Sequence, residues 1–259
     1  MDKYLLAVLK NSYKGACSGR DDEDIHASDL DSFCARAYRL CVDNKIPFHK
    51  KRYLAIRESV TYDIGTALHN IVRKRLHRAG VLVGGWQCII CQPRLAFGIL
   101  PLKCPVCKSQ SITYKEPNVR INCGKYWLVG NIDGIVAQTS KDNFIVEIKS
   151  IAADQYDLLT KPLIDHETRV KTYLWMLEEE RKNGIPREVR TDAGVLLYIA
   201  KGMKPMPFKT FLIEQDPKAG DRIKEKLSQV KSKTLPKKIC KGRGDMMARS
   251  CHVAEECFK

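Results

Sequence analysis

Residues 126–150 read YWLVGNIDGIVAQTSKDNFIVEIKS, and this stretch decides the fold. Two β-branched, apolar runs flank a polar break, which predicts two strands joined by a hairpin turn at Ser140, Lys141, Asp142 and Asn143. On the second strand Glu147 and Lys149 are two apart and share one face, while Val146 and Ile148 point the other way, into a core. Asp133 sits on the first strand at a similar distance from the turn, so the hairpin brings it beside Glu147. Two carboxylates at one point suit a hard cation such as Mg²⁺ or Mn²⁺. Such a cation polarises a phosphate and acidifies a bound water. A neighbouring Lys149 orients that water and stabilises charge building on phosphorus. The plainer reading of any Asp…Glu-x-Lys match is a solvated hairpin. Here β-branched neighbours, glycines on both sides of Asp133 and a basic chain favour the chemical one.

Working outward, a strand fits VRINC, and residues 193–202 and 207–215 fit two more. Helical spacing fits 27–41, with Ser28 as its cap and Leu30, Phe33, Ala37 and Tyr38 toward a core. Further helices fit 62–80, 166–184 and 216–233, with stops at Gly80 and Gly184. This order of elements predicts a mixed α/β (α+β) sheet with helices over it.

The chain has 259 residues, enough for one decorated domain or at most two. It carries 45 Lys and Arg against 30 Asp and Glu, a formal charge of +15 that suits a partner rich in phosphates. No apolar run approaches the roughly 20 residues needed to span a bilayer. The opening MDKYLLAVLKNSYKG reads as a helix, not a signal peptide, so a reducing cytoplasm in a microbial or viral setting is expected.

Eleven cysteines in such a compartment point to metal ligation before disulfides. Cys88-x2-Cys91 and Cys104-x2-Cys107, twelve residues apart, are two knuckles whose four thiolates suit a structural Zn²⁺. That site is closed, so its metal is not the catalyst. Residues 85–111, rich in Cys, Pro and Gly, read as an inserted zinc ribbon that touches DNA or a partner protein. Cys34, Cys240, Cys251 and Cys257 lie at opposite ends of the chain, and spacing alone does not unite them. Cys17, Cys41 and Cys123 read as free thiols.

Asp133…Glu147-Ile148-Lys149 resembles the PD-(D/E)xK nuclease signature. Gly130-x2-Asp133 with Val146-Glu147-x-Lys149-Ser150 resembles the RecB-like branch, as does Gly65-x3-His69 on a helix. The Q-x-x-x-Y of that branch appears as Arg169-x3-Tyr173, with arginine in place of glutamine, where it can contact a phosphate. Ser28, Leu30, Cys34, Arg36 and Leu40 match the N-terminal segment of its iron–sulfur exonucleases, which include the AddB nuclease domain and the exonuclease of CRISPR adaptation modules. Cys251-x5-Cys257 also fits, whereas the interval from Cys240 to Cys251 is longer than is usual there.

The resemblance implies a restriction-endonuclease-like mixed sheet flanked by helices. It implies Mg²⁺ or Mn²⁺ held by His69, Asp133, Glu147 and Ile148, with Lys149 and Tyr173 joining the catalytic set and Arg169 and Arg36 on substrate. Cys34, Cys240, Cys251 and Cys257 then hold a structural 4Fe–4S cluster that staples the termini, a second zinc in the same thiols being the alternative. The division becomes 1–84 (N-terminal helical part of the nuclease domain), 85–111 (zinc ribbon), 112–235 (nuclease core) and 236–259 (cysteine tail). The implied activity is a DNA exonuclease on single-stranded ends, 5′ to 3′, in replication, recombination or repair. A replication or recombination protein is a further possible partner, through the ribbon. The alternatives are a structure-specific or RNA-directed nuclease, or a non-catalytic nucleic-acid-binding zinc protein.

Overall fold

The computed structural model describes residues 2–13, 17–18, 24–30, 32–49, 52–124, 126–138, 142–185 and 187–259. In chain order they form α1 (Asp2–Ser12), β1 (Cys17–Ser18), β2 (Ile25–His26), a 3-10 turn (Ala27–Asp29), α2 (Ala35–Asn44), β3 (Arg52–Tyr53) and α3 (Ile56–Arg78). Next come β4 (Leu82–Cys88), β5 (Arg94–Ile99), β6 (Ile112–Lys115), β7 (Asn118–Asn122), β8 (Trp127–Asn131), β9 (Gly134–Ala137) and β10 (Asn143–Ala152). The rest are α4 (Ala153–Leu158), α5 (Ile164–Lys182), β11 (Ala193–Lys201), β12 (Phe208–Glu214), α6 (Ala219–Val230), α7 (Met246–Ser250) and α8 (Ala254–Cys257).

The main sheet runs β12-β11-β10-β9-β4-β5, with β6 also paired to β4. Its one parallel pair, β10 with β11, is joined by a crossover through α4 and α5, as parallel neighbours require. A second sheet runs β2-β8-β7. The fold is therefore mixed α/β, as the order of elements predicts.

β10 is covered on both faces, which is why it reads as an almost unbroken apolar run. Val146 and Ile148, with Ile199 of β11, meet Leu68, Val72 and Leu76 of α3. Ile145 and Leu196 belong to the larger core with Val170 and Leu174 of α5. Burying each of these aliphatic side chains contributes about 1.5–3 kcal/mol. At the far end α2 packs on α6 and α8, so the C-terminal tail folds back on the N-terminal helix.

Three expectations change. Asp133 is not inside a strand: the run 127–137 breaks at Ile132–Asp133, where β8 leaves one sheet and β9 enters the other. The helix expected from Ser28 begins at Ala35, because the Cys34 thiol, not the Ser28 hydroxyl, caps it by accepting from the Ala37 N–H at 3.4 Å. The helix expected from Tyr62 starts at Ile56, where the Glu58 carboxylate accepts the Ala55 N–H at 3.0 Å and closes its first turn. Of the expected hairpin turn, Ser140 and Lys141 lie outside the described residues.

Candidate functional site

The site forms where β9 begins. Its first pair with β10 is Gly134 opposite Val146. The next inward N–H of β10, that of Ile148, donates instead to Asp133 Oδ2 at 2.8 Å. A carboxylate thus completes the ladder and is pinned by the strand that carries Glu147 and Lys149. Ile148 itself is fully buried and apolar, so only its main chain can serve a cation.

α3 supplies the next groups. Packing Leu68, Val72 and Leu76 on the sheet turns His69 and Arg73, one helical turn apart, toward Asp133. His69 Nδ1 lies 3.4 Å from Asp133 Oδ1. Arg73 lies 3.9 Å from the same oxygen and 2.6 Å from Glu116 Oε1, just past β6.

Glu147 is only 3% exposed. Lys149 donates to its Oε1, and Arg169 of α5 approaches the same oxygen at 3.5 Å. Tyr173, one turn further along α5, is buried against Gly130. A Cβ on that glycine would come within 2.4 Å of the ring, so the first residue of the Gly130-x2-Asp133 motif must stay small for Tyr173 to fit. The Arg36 guanidinium donates to Cys257 Sγ at 3.2 Å and to the Pro236 carbonyl at 2.9 Å, which ties down the tail.

The two central carboxylates are poised differently. Burial, then the charge of Asp133, pushes Glu147 up to about 7, against the pull of Lys149 and Arg169. Burial also raises Asp133, but the hydrogen bond and charge of His69, the charge of Lys149 and the Ile148 N–H outweigh it and hold the group down. Burial raises Glu116. His166 of α5 is pushed down to about 4, first by burial and then by the charges of Lys149 and Arg169. Its Nδ1 lies 2.9 Å from the Tyr198 hydroxyl, which accepts the Leu163 N–H at 3.0 Å. Two carboxylates, Glu147 buried and Asp133 half-buried, with basic side chains around them, can take a divalent ion and a phosphate together.

Sequence reasoning missed Arg73, Glu116 and His166. His166 and Arg73 share helix faces with Arg169 and His69, a signal available in the helical spacing. Nothing local marks Glu116.

Most of the described cysteines fall into two places, whereas Cys123, just after β7, sits apart with its thiol on the Ile121 carbonyl at 3.6 Å. Cys88 and Cys107 sulfurs lie 3.5 Å apart, as do those of Cys91 and Cys104, and all four lie within 4.8 Å of one another. Among the described residues no other group of three or more His, Cys, Asp or Glu gathers so tightly. This group can hold a metal ion. The knuckles match each other: Gln92 and Lys108, each just after a second cysteine, both adopt left-handed φ, 59° and 61°. In each, backbone N–H groups point at the first thiol and lower its pKa, Cys88 to about 6. Cys34, Cys240, Cys251 and Cys257, far apart in sequence, line one cavity between α2 and the tail. Cys41, buried beside them, lies 3.3 Å from His252 Nε2.

Among the described residues no helix is long and apolar enough to cross a membrane. No family model matches the chain, and no curated protein matches it in sequence. Solved structures similar to it include two that span most of its length. One is the crystal structure of SSO0001, with 17% identity over 98% of this chain and 96% of that chain and a TM-score of 0.46. The other is the alkaline exonuclease LHK-Exo from Laribacter hongkongensis, with 14% identity over 89% of this chain and 90% of that chain and a TM-score of 0.43. At that distance a likeness says nothing of this chain's chemistry, which rests on the residues of its own site.

Proposed function

We propose that this chain is a metal-dependent phosphodiesterase of the PD-(D/E)xK type, an exonuclease acting on single-stranded DNA ends with 5′ to 3′ polarity. One observation carries the reading. Asp133, Glu147, Lys149 and His69, from three separate elements, meet where β9 begins, and β10 fixes the Asp133 carboxylate through the Ile148 N–H.

The donor set fits Mg²⁺ or Mn²⁺. It offers hard oxygens from Asp133, Glu147 and the Ile148 carbonyl, with a nitrogen from the His69 ring, and the repulsion that Asp133 exerts on buried Glu147 is what a divalent cation relieves. When bound, the cation supplies Lewis acidity toward the phosphate and a more acidic water. Lys149 holds the attacking water and faces the charge that develops on phosphorus. Arg169 steadies a non-bridging phosphate oxygen. Tyr173 keeps Gly130, and with it the Asp133 segment, in place. Glu116 and Arg73 form the far wall.

The ribbon thiols fit Zn²⁺, for which a tetrahedral cage with bonds of about 2.3 Å puts sulfurs about 3.8 Å apart. Cys34, Cys240, Cys251 and Cys257 suit a wider group, a 4Fe–4S cluster with a structural role. Support comes from N–H donors already on two of the sulfurs, from Arg36 to Cys257 and from Ala37 to Cys34. On this reading 85–111 is an insertion in the nuclease core and 236–259 a stapled tail. The phosphate-rich partner is DNA, in a replication, recombination or repair setting.

The test is cleavage of a labelled single-stranded oligonucleotide by metal-loaded protein. Glu147→Ala and Lys149→Ala should each abolish metal-dependent cleavage while oligonucleotide binding survives. Cleavage by both variants at the parent's rate would refute the assignment.

A further inference from the structure

The ribbon presents an unusual surface. Ile89 and Ile90 at the tip of the first knuckle are 58% and 66% exposed, and Val106 at the tip of the second is 66% exposed. Leu102, just before Cys104, is 91% exposed. Aliphatic side chains at these positions are not needed to fold a thiol cage, whose cohesion lies in the metal and the knuckle hydrogen bonds. The flanks are basic: Arg94, Lys103 and Lys108 are all exposed, and residues 85–111 contain no Asp or Glu. Lys108 Nζ rests on the Pro105 carbonyl at 3.0 Å, which leaves two of its N–H donors for an anion.

The ribbon is also wired to the candidate cleft. β6 pairs with β4 at Cys88–Ile112 and runs on to Glu116, whose carboxylate meets Arg73 beside Asp133. The four residue steps from Ile112 to Glu116, just past the end of β6, span about 13 Å, or about four base steps at 3.4 Å each. Trp86 and Tyr114, ring centroids 5.1 Å apart, brace that junction, so the ribbon stands at a fixed distance from the cleft.

We propose that the ribbon is a nucleic-acid grip: the crest of Ile89, Ile90, Leu102 and Val106 lies against unstacked bases, and Arg94, Lys103 and Lys108 hold the adjoining phosphates. The proposal rests on the nuclease reading for its direction, since it places the grip a few nucleotides from the cleft. An apolar crest reaches bases only where they are unpaired or wedged apart, so the occupant is a strand at or near a duplex end. The all-basic flank selects a polyanion over an ordinary protein surface.

The test uses the full-length protein, its cysteine sites loaded, with Glu147→Gln, so that nothing is cut. The probe is a fluorescein-labelled DNA duplex with a single-stranded tail, titrated at several salt concentrations. The crest variant I89S/I90S/V106S should bind at least about fivefold more weakly, the scale of removing aliphatic surface from an interface, with the salt slope unchanged. The flank variant R94S/K103S/K108S should flatten the slope by about 2, near 0.7 for each single-strand phosphate left unneutralised. Metal analysis shows whether the ribbon keeps its ion. If the crest variant sheds it, the flank variant, which leaves the knuckles intact, decides. Parent-like affinity and slope in the flank variant overturn the proposal, as they do when both variants bind like the parent, and then favour a protein partner for this surface. Failure of the nuclease reading looks different: the unmutated protein would cut nothing with Mg²⁺ or Mn²⁺, yet the binding differences would persist.

Discussion

The ribbon thiols and the carboxylate cleft are both candidate metal sites, built in opposite ways. Cys88, Cys91, Cys104 and Cys107 come from one run of 20 residues and meet through two copies of one local turn. His69, Glu116, Asp133, Glu147 and Arg169 come from α3, the ends of β6 and β8, β10 and α5, and meet only because the core packs those elements together. The ribbon offers four like ligands, mutually in contact, with no place left for substrate. The cleft offers unlike groups, acids already countered by Lys149, Arg169 and His69. A closed cage suits a structural role, and a mixed set of unlike charges suits chemistry.

That contrast breaks most visibly through the cleft. Asp133→Asn keeps an oxygen for the Ile148 N–H, so the fold should hold within a few degrees in a thermal melt. Cleavage should nevertheless fall by about 10³-fold or more, the scale of losing a preorganised charge. Unfolding of this variant would place Asp133 on the structural side of the comparison.

The tail comes next. Cys257→Ala removes a thiol that accepts from Arg36 and lines the cavity between α2 and α8. If those thiols staple the chain ends, the loss is on the scale of a long-range cross-link, about 3 kcal/mol, or a fall of roughly 6–12 °C in Tm. An unchanged melt would make the tail a passive appendage.

Glu147→Gln tests the stored charge. In the parent the Glu147 carboxyl titrates near 7, above its ordinary value of 4.5, so between those pH values the folded state holds a proton that the unfolded state has released. Stability from this group is therefore complete below about 4.5 and is lost as pH rises through 7. With a chelator present, Glu147→Gln should be more stable than the parent by about 1–3 kcal/mol at pH 8, and the gain should vanish near pH 4.5. Denaturant melts across that range check both limits, and a gain independent of pH would contradict the buried-charge account.

The smallest effect belongs to the ribbon. Cys91→Ser should release one metal equivalent yet lower the Tm of the nuclease core by less than about 3 °C, because its neighbours are local. A collapse of the whole fold would show that the ribbon is integral to the core.

Much of the site was legible because its signals are short-range. Glu147 and Lys149 share a strand face, and His69 lies one helical turn from Gly65, so spacing alone places them. The α5 segment and the ribbon were equally plain, one from helical period and the other from paired knuckles. The break at Ile132–Asp133 was not, because the apolar run continues through it. Only the exchange of sheets, with the Ile132 N–H on the Pro117 carbonyl at 2.9 Å, ends the strand there. Glu116 was hidden for a related reason: it matters only through Arg73, 43 positions earlier. Arg36 lay within a recognisable pattern, yet its partner, the Cys257 sulfur, is 221 positions away.

The central claim, that Asp133 and Glu147 hold a divalent cation, is tested most directly by calorimetric titration of Mn²⁺ into protein whose cysteine sites are already loaded. The account predicts saturable binding in the parent that is lost in both Asp133→Asn and Glu147→Gln, with the metal content of the cysteine sites unchanged. Equal binding by the parent and both variants would contradict it.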